Sequence, residues 1–260
     1  RFEKALFVKL GKKGLVFFST PLDLKSSEYL NKFQPIFKIS SGDNDYGTLI
    51  KKIIKFNKPT IISTGMLNYL EVKKMYKLIK KLKIKSKLGI LHCVSSYPAE
   101  KGELNLNSIR FLKKNFPDCY IGYSDHSIGI EACEVAASMG ARIIEKHFTL
   151  NHNFSKFRDH KLSANPSEMK LLVKKIRNIE IMSGNFKKSI TKSERKNKIS
   201  IRRSIAANKI LKIGQIIKES DLIMLRPGIG YNYNDRNFII GKKVKKIIKK
   251  NQIISKNYLV

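Results

Sequence analysis

The feature that most constrains this chain is a rhythm. Short β-branched or aromatic runs each end in a small polar cluster, and segments of helical period separate them. The clusters are Ser19-Thr20-Pro21, Lys38-Ile39-Ser40-Ser41-Gly42, Ser63-Thr64-Gly65, His92-Cys93-Val94-Ser95-Ser96-Tyr97-Pro98, Ser124-Asp125-His126-Ser127 and Glu145-Lys146-His147. Apolar runs with no polar face belong to strands covered on both sides, and alternation with helices implies a parallel sheet with crossover connections. Polar residues collected where such strands end are the signature of a catalytic mouth in a parallel α/β barrel. The chain is read as an enzyme.

Six strands are expected: Leu15–Phe18, Ile36–Ile39, Thr60–Ile62, Leu88–Cys93, Tyr120–Tyr123 and Arg142–Glu145. The first follows a helix over about 2–10, and helices near 26–33, 46–56, 69–82, 107–115 and 129–139 precede the others. A closing helix runs from Pro166 to Met182: Asn165 caps it, Pro166 fits its first turn, Glu168 reaches back to the cap, and Gly184 stops it. An open doubly wound sheet would carry a glycine-rich phosphate loop after its first strand, and the sequence has none there. A closed barrel needs eight strands. The chain begins in helical sequence without methionine, so the expectation for residues 1–184 is a (β/α)8 TIM barrel lacking its first two βα units, with exposed sheet edges.

Residues 185–198 are polar without an apolar period and read as a linker. Residues 199–260 change character to short β segments, and Ala207–Ile217 is echoed by Val244–Ile254, with Gly214 and Asn251 at matching turn positions. A module this small buries little core alone, so it is expected to dock on the barrel or on another subunit.

The net charge of +33 first suggests a nucleic-acid or membrane-surface partner. However, 43 of the 53 basic residues are lysine, and they are spread over every expected helix. Nucleic-acid sites concentrate arginine and aromatics instead, so neither nucleic acid nor membrane is expected as partner, though the field would attract anionic substrates. Three cysteines (Cys93, Cys119, Cys133) without metal-ligand spacing read as reduced thiols. No apolar run reaches about 18 residues, and a soluble, cytoplasmic protein is expected.

His126 and His147 stand at the C-terminal ends of consecutive strands, close enough to share a divalent metal. Thr20, Lys38, Ser41 and Ser124 lie at equivalent ends and suit a phosphorylated or carboxylated substrate. Asp159 and His160 follow in a loop, 157–163, able to fold over the mouth.

The ordered motifs Phe-Phe-Ser-Thr-Pro-Leu-Asp (17–23), Phe-Lys-Ile-Ser-Ser-Gly-Asp (37–43), Ile-Ser-Thr-Gly-Met (62–66), Leu-His-Cys-Val-Ser-Ser-Tyr-Pro (91–98), Gly-Tyr-Ser-Asp-His-Ser (122–127), Glu-Lys-His-Phe-Thr (145–149) and Asp-His-Lys-Leu-Ser (159–163) resemble the sialic acid synthase family. The segment from Arg203 through Asp221 to Gly228 resembles the antifreeze-like SAF (β-clip) domain that ends those enzymes. The resemblance implies condensation of phosphoenolpyruvate with an N-acetylated hexose to a nonulosonic acid, with loss of phosphate. It implies a divalent metal, Mn²⁺ foremost with Mg²⁺ or Co²⁺ as alternatives, on His126 and His147, and a catalytic part for Asp159. Phosphoenolpyruvate would be held by Thr20, Lys38, Ser41 and Ser124, and the sugar by Tyr97 and Asp159. Ser95 stands in a substrate-binding motif where many members carry asparagine. Arg226 would reach from the SAF domain into the partner's barrel in a homodimer. The family's first-strand glutamate and second-strand lysine have no counterpart here, so the chain as it stands is expected to lack activity. Two rivals remain open: a Schiff-base aldolase using Lys146 or Lys38, and a non-catalytic binding module.

Overall fold

The computed structural model of the protein describes residues 9–82 and 87–260, so the helix expected over 2–10 lies almost wholly outside the described residues. The chain forms two compact units, one ending at Gly184 and the other beginning at Asn185.

The first unit alternates helix α1 (Leu24–Asn31), strand β1 (Phe37–Ile39), α2 (Gly47–Lys55), β2 (Thr60–Ser63), α3 (Tyr69–Lys81), β3 (Leu88–Cys93), α4 (Asn107–Asn115), β4 (Tyr120–Asp125), α5 (Glu131–Ser138) and β5 (Ile143–Lys146). All four neighbouring strand pairs are parallel and follow chain order, β1 to β5. The helices obey the sequence: in α2, Leu49, Ile50, Ile53 and Ile54 are buried while lysines occupy the intervening positions. Reciprocal side-chain caps start α1 (Asp23 with Ser26), α3 (Asn68 with Glu71) and the closing helix α7 (Pro166–Ser183; Asn165 with Glu168). A short helix α6 (Asp159–Leu162) precedes α7, and a parallel bridge between Phe148 and Ala164 extends the ladder beyond β5.

The sheet is curled. In a flat sheet, β1 and β5 are four strand spacings apart, about 19 Å at roughly 4.8 Å each. Yet Lys38 of β1 lies 3.2 Å from Glu145 of β5, a reach the two side chains cover only if the sheet bends into an arc that brings its edges together. The unit is therefore α/β with a half-barrel of five parallel strands.

The expected strand at Leu15–Phe18 does not form. After the turn at Gly14 (φ +74°) the chain is irregular, with Leu15 and Val16 exposed. A β-branched run becomes a strand only where burial and a ladder partner reward it, and here its leading residues gain no burial.

The second unit opens with helix α8 (Lys192–Ile201), which begins in the stretch read as linker and runs past its end. Thr191 and Glu194 cap it reciprocally, and all its residues are exposed, which is why no apolar period announces it. Strands β6 (Ser204–Ala207) and β7 (Leu222–Leu225) pair antiparallel, and α9 (Arg236–Ile239) follows. Ile205, Leu211, Ile217, Ile239, Val244, Ile248 and Ile254 make a core of the unit's own. The sequence echo is a structural duplication. Leu211 and Ile248, equivalent positions, exchange both backbone hydrogen bonds. The Ala207 amide donates to Gln252, and the Val244 amide correspondingly donates to Gln215. Gly214 (φ +78°) and Asn251 (φ +65°) make the matching left-handed turns.

Candidate active site

Side chains of a strand alternate between faces, and the alternation assembles this site. Lys38 and Ser40, Ser63, Cys93 with Ser95 and Tyr97, Ser124 with His126, and Glu145 with His147 all line one cavity of about 580 Å³, joined by Thr20, Ser41 and Met66. The volume suits a small polar ligand. A larger concavity of about 770 Å³ lies between α2 and α3, walled by leucines and lysines, and its lining has no histidine or cysteine.

Most of the residues expected at the mouth are there. Lys38, Ser124 and His126 are buried at the cavity wall, Thr20 is at its rim, and Ser41, Ser95, Tyr97 and His147 are half-buried within it. Asp159 stands beside the cavity on α6, with Oδ2 3.6 Å from His147 Nδ1. Arg226 belongs to the second unit, where its Nε–H donates to the Ile201 carbonyl at 2.8 Å.

The two imidazoles lie 5.2 Å apart between centroids, with Tyr97 against His126 at 4.1 Å. His126 Nδ1 donates to the Val94 carbonyl at 2.8 Å, which leaves Nε2 as the free lone pair. Burial opposes a charge on His126, but Cys93 and the Val94 carbonyl outweigh it and raise its pKa. His147 moves the other way, lowered by burial and then by the charge of His126. Burial pushes the Cys93 thiol up, but the His126 imidazole, with Nδ1 3.7 Å away, together with Ser41 and Ser124 brings it below its usual range.

Gly65 closes one wall. Its amide donates to Ser41 Oγ at 3.1 Å, and a Cβ there would sit 2.1 Å from Ser95 Oγ and 2.7 Å from Ser41 Oγ. Only glycine lets the three loops meet. Asn44 braces them by donating to the Ser63 and Gly65 carbonyls. The hydroxyls of Ser63 and Ser95 are buried and have no protein partner.

Glu145, Ser63 and Cys93, members of the strand-end clusters that were given no individual role, also line the cavity. Glu145 accepts from Ser124 Oγ at 2.6 Å and pairs with Lys38. The signal was its position two residues before His147. The same period turns Asp125 and Lys146 to the opposite face, where they form a sealed ion pair at 2.7 Å.

A family profile described as the NeuB family matches residues 2–188. The chain belongs to the NeuB family. Among relatives, an uncharacterized protein of Methanocaldococcus jannaschii is 41% identical over 244 residues, 94% of this chain and 72% of its own length. The N,N'-diacetyllegionaminic acid synthase of Campylobacter jejuni is 39% identical over 253 residues, 96% of this chain and 75% of its own. Among solved structures, the N-acetylneuraminic acid synthetase of Leptospira borgpetersenii, in complex with citrate, superposes with a TM-score of 0.70 at 35% identity, covering 74% of this chain and 67% of that one. This NeuB family chain is thus similar to enzymes of nonulosonic acid synthesis along most of its length.

Proposed function

We propose that this protein is a nonulosonic acid synthase, which condenses phosphoenolpyruvate with an N-acetylated hexose, N-acetylmannosamine or a 2,4-diacetamido-trideoxymannose, and releases phosphate. The observation that carries the reading is the pair of orphaned hydroxyls, Ser63 and Ser95, in the same cavity as the Lys38 ammonium. Buried polar groups are paired almost without exception, and an anionic, oxygen-rich ligand supplies the missing partners. The citrate of the Leptospira relative is an anion of that kind.

The chain's residues divide the work. Lys38, with Thr20, Ser41, Ser63, Ser95 and Ser124, holds the phosphate and carboxylate and orients C3 of phosphoenolpyruvate toward the sugar aldehyde. Tyr97 and Asp159 contact the sugar. C3 bonds to the aldehyde carbon, water adds at C2, and phosphate leaves by C–O cleavage. His126 and His147 would hold a divalent metal, Mn²⁺ first, and their donor set fits. The Val94 carbonyl fixes the His126 tautomer, burial lowers the pKa of His147 while that of His126 moves up, and no third His, Cys, Asp or Glu completes a cluster among the described residues. Two imidazoles supply part of a coordination sphere, and water or substrate oxygens would fill the rest. When bound, the metal supplies Lewis-acid polarisation of the aldehyde oxygen. The second unit is read as an SAF domain, with Arg226 completing the site of a partner subunit in a cytoplasmic homodimer. Lys146 is sealed and ion-paired, which is unsuited to the imine chemistry of an aldolase.

The test is phosphate release from phosphoenolpyruvate by the full-length gene product, with each candidate sugar, with Mn²⁺ and with EDTA. Release with one sugar, abolished by EDTA, is expected. Borohydride trapping of a pyruvate imine without phosphate release would overturn the synthase reading.

A further inference from the structure

The residues directly before the two histidines, Asp125 and Lys146, are register partners on β4 and β5. Their side chains leave the sheet on the face opposite the cavity, and both are out of solvent, at 1% exposure for Lys146 and 0% for Asp125. The carboxylate is saturated. Its Oδ1 accepts from Tyr123 Oη at 3.0 Å, from the Ser127 amide at 2.9 Å and from Ser127 Oγ at 2.7 Å, while Oδ2 accepts from Cys133 Sγ at 3.2 Å and Lys146 Nζ at 2.7 Å. Lys146 Nζ also donates to the Ser127 carbonyl. Ser127, the residue after His126, is therefore clamped at its amide, its hydroxyl and its carbonyl. The clamp joins the backbone on both sides of His126 to the residue just before His147.

A buried ion pair is a poor source of stability, since desolvation cancels most of its attraction and a packed apolar pair does as well. What it supplies is direction: charge-assisted bonds hold donors and acceptors at fixed angles where apolar contacts let them slide. We propose that Asp125 and Lys146 are positioning residues that set the separation of the His126 and His147 imidazoles and thereby the affinity for a divalent cation bound between them. The inference rests on the metal reading above. Neither residue touches substrate or metal; they act through the backbone of 125–127 and 146–147.

The test uses Co²⁺ alone, titrated into the purified chain and followed by its visible absorption and by calorimetry, beside urea unfolding of the metal-free protein. The double variant Asp125→Leu/Lys146→Met removes both charges together. It also strands the donors of Tyr123, Ser127 and Cys133, so the unfolding midpoint is expected to fall, while the folded protein is expected to bind Co²⁺ about 10- to 100-fold more weakly, the range for residues that orient ligating histidines, with an altered spectrum. Ser127→Ala leaves the ion pair in place and removes one clamp bond, and is expected to weaken Co²⁺ binding by a smaller factor. Unchanged affinity and spectrum in folded double variant overturns the proposal, as does unchanged affinity in Ser127→Ala should the double variant not fold. If the unsubstituted chain binds no Co²⁺ that His126→Ala abolishes, the metal reading itself falls.

Discussion

Two lysine–carboxylate pairs link strands of the same half-barrel, and they differ in what they can still bind. Asp125 and Lys146 lie between the sheet and its helices, and the carboxylate has five donors. Lys38 and Glu145 face the cavity with side chains 8% and 40% exposed, beside hydroxyls without partners. Burial alone does not separate them, because Lys38 is nearly as enclosed as Lys146. Saturation does: a charge whose valences are filled by protein fixes geometry, and one with valences left open recruits a ligand.

The comparison breaks most violently at the sealed pair. Asp125→Ala or Lys146→Ala strands a buried charge, and a loss of about 3–5 kcal/mol is expected in urea unfolding. At the open pair the large effect moves from stability to function. In the full-length gene product, Lys38→Ala is expected to lower kcat/KM for phosphoenolpyruvate by about 100-fold or more, with thermal unfolding changed by about 1 kcal/mol or less because Glu145 remains hydrated. Equal losses of stability at Lys38 and Lys146 would erase the distinction. A sharper probe is Glu145→Gln, which removes a negative charge from beside the proposed anion site. About 1 kcal/mol of repulsion at water-like dielectric translates into roughly fivefold tighter phosphoenolpyruvate binding by calorimetry.

The smallest effect belongs to a third pair, Lys80 with Asp118, whose side chains are 56% and 43% exposed. Lys80→Ala is expected to cost about 0.2–1 kcal/mol. The Lys80 hydrogen bond holds the Asp118 carboxyl below its ordinary value. A depressed carboxylate stabilises the fold above the unfolded pKa, near 4, and that contribution disappears as pH falls through the folded value. The difference between the unsubstituted chain and Lys80→Ala should therefore be full at neutral pH and fade on acidification below about 4, read from unfolding curves at several pH values.

The strand ends were legible because each apolar run stops at a polar cluster, and the helix starts because Asn68, Asn165 and their partner glutamates write a local code. The two histidines were legible from the same strand-end logic, and their neighbour Glu145 from the period-2 rule that put His147 in the cavity. What escaped depends on distant partners. Whether Leu15–Phe18 forms a strand is decided by what covers it. The curl of the sheet appears only once Lys38 and Glu145 are found within bonding distance across five strands. Helix α8 hid for another reason: exposed on every side, it offers no apolar stripe, and only its Thr191–Glu194 cap betrays it.

The duplication in the second unit has its own consequence. Gln215 and Gln252 play one part twice: each accepts a backbone amide three residues upstream, from Lys212 and Lys249, and each donates through its side-chain amide to one equivalent position, Asp221 Oδ2 in the first copy and Tyr258 Oη in the second. The ladder crosses at Leu211 and Ile248, so each copy completes the other's core. Every substitution in one copy thus has a matched control in the same molecule, and the pair Asp221 and Tyr258 is a natural experiment already performed: one scaffold, one donor, and a charged acceptor traded for a phenol.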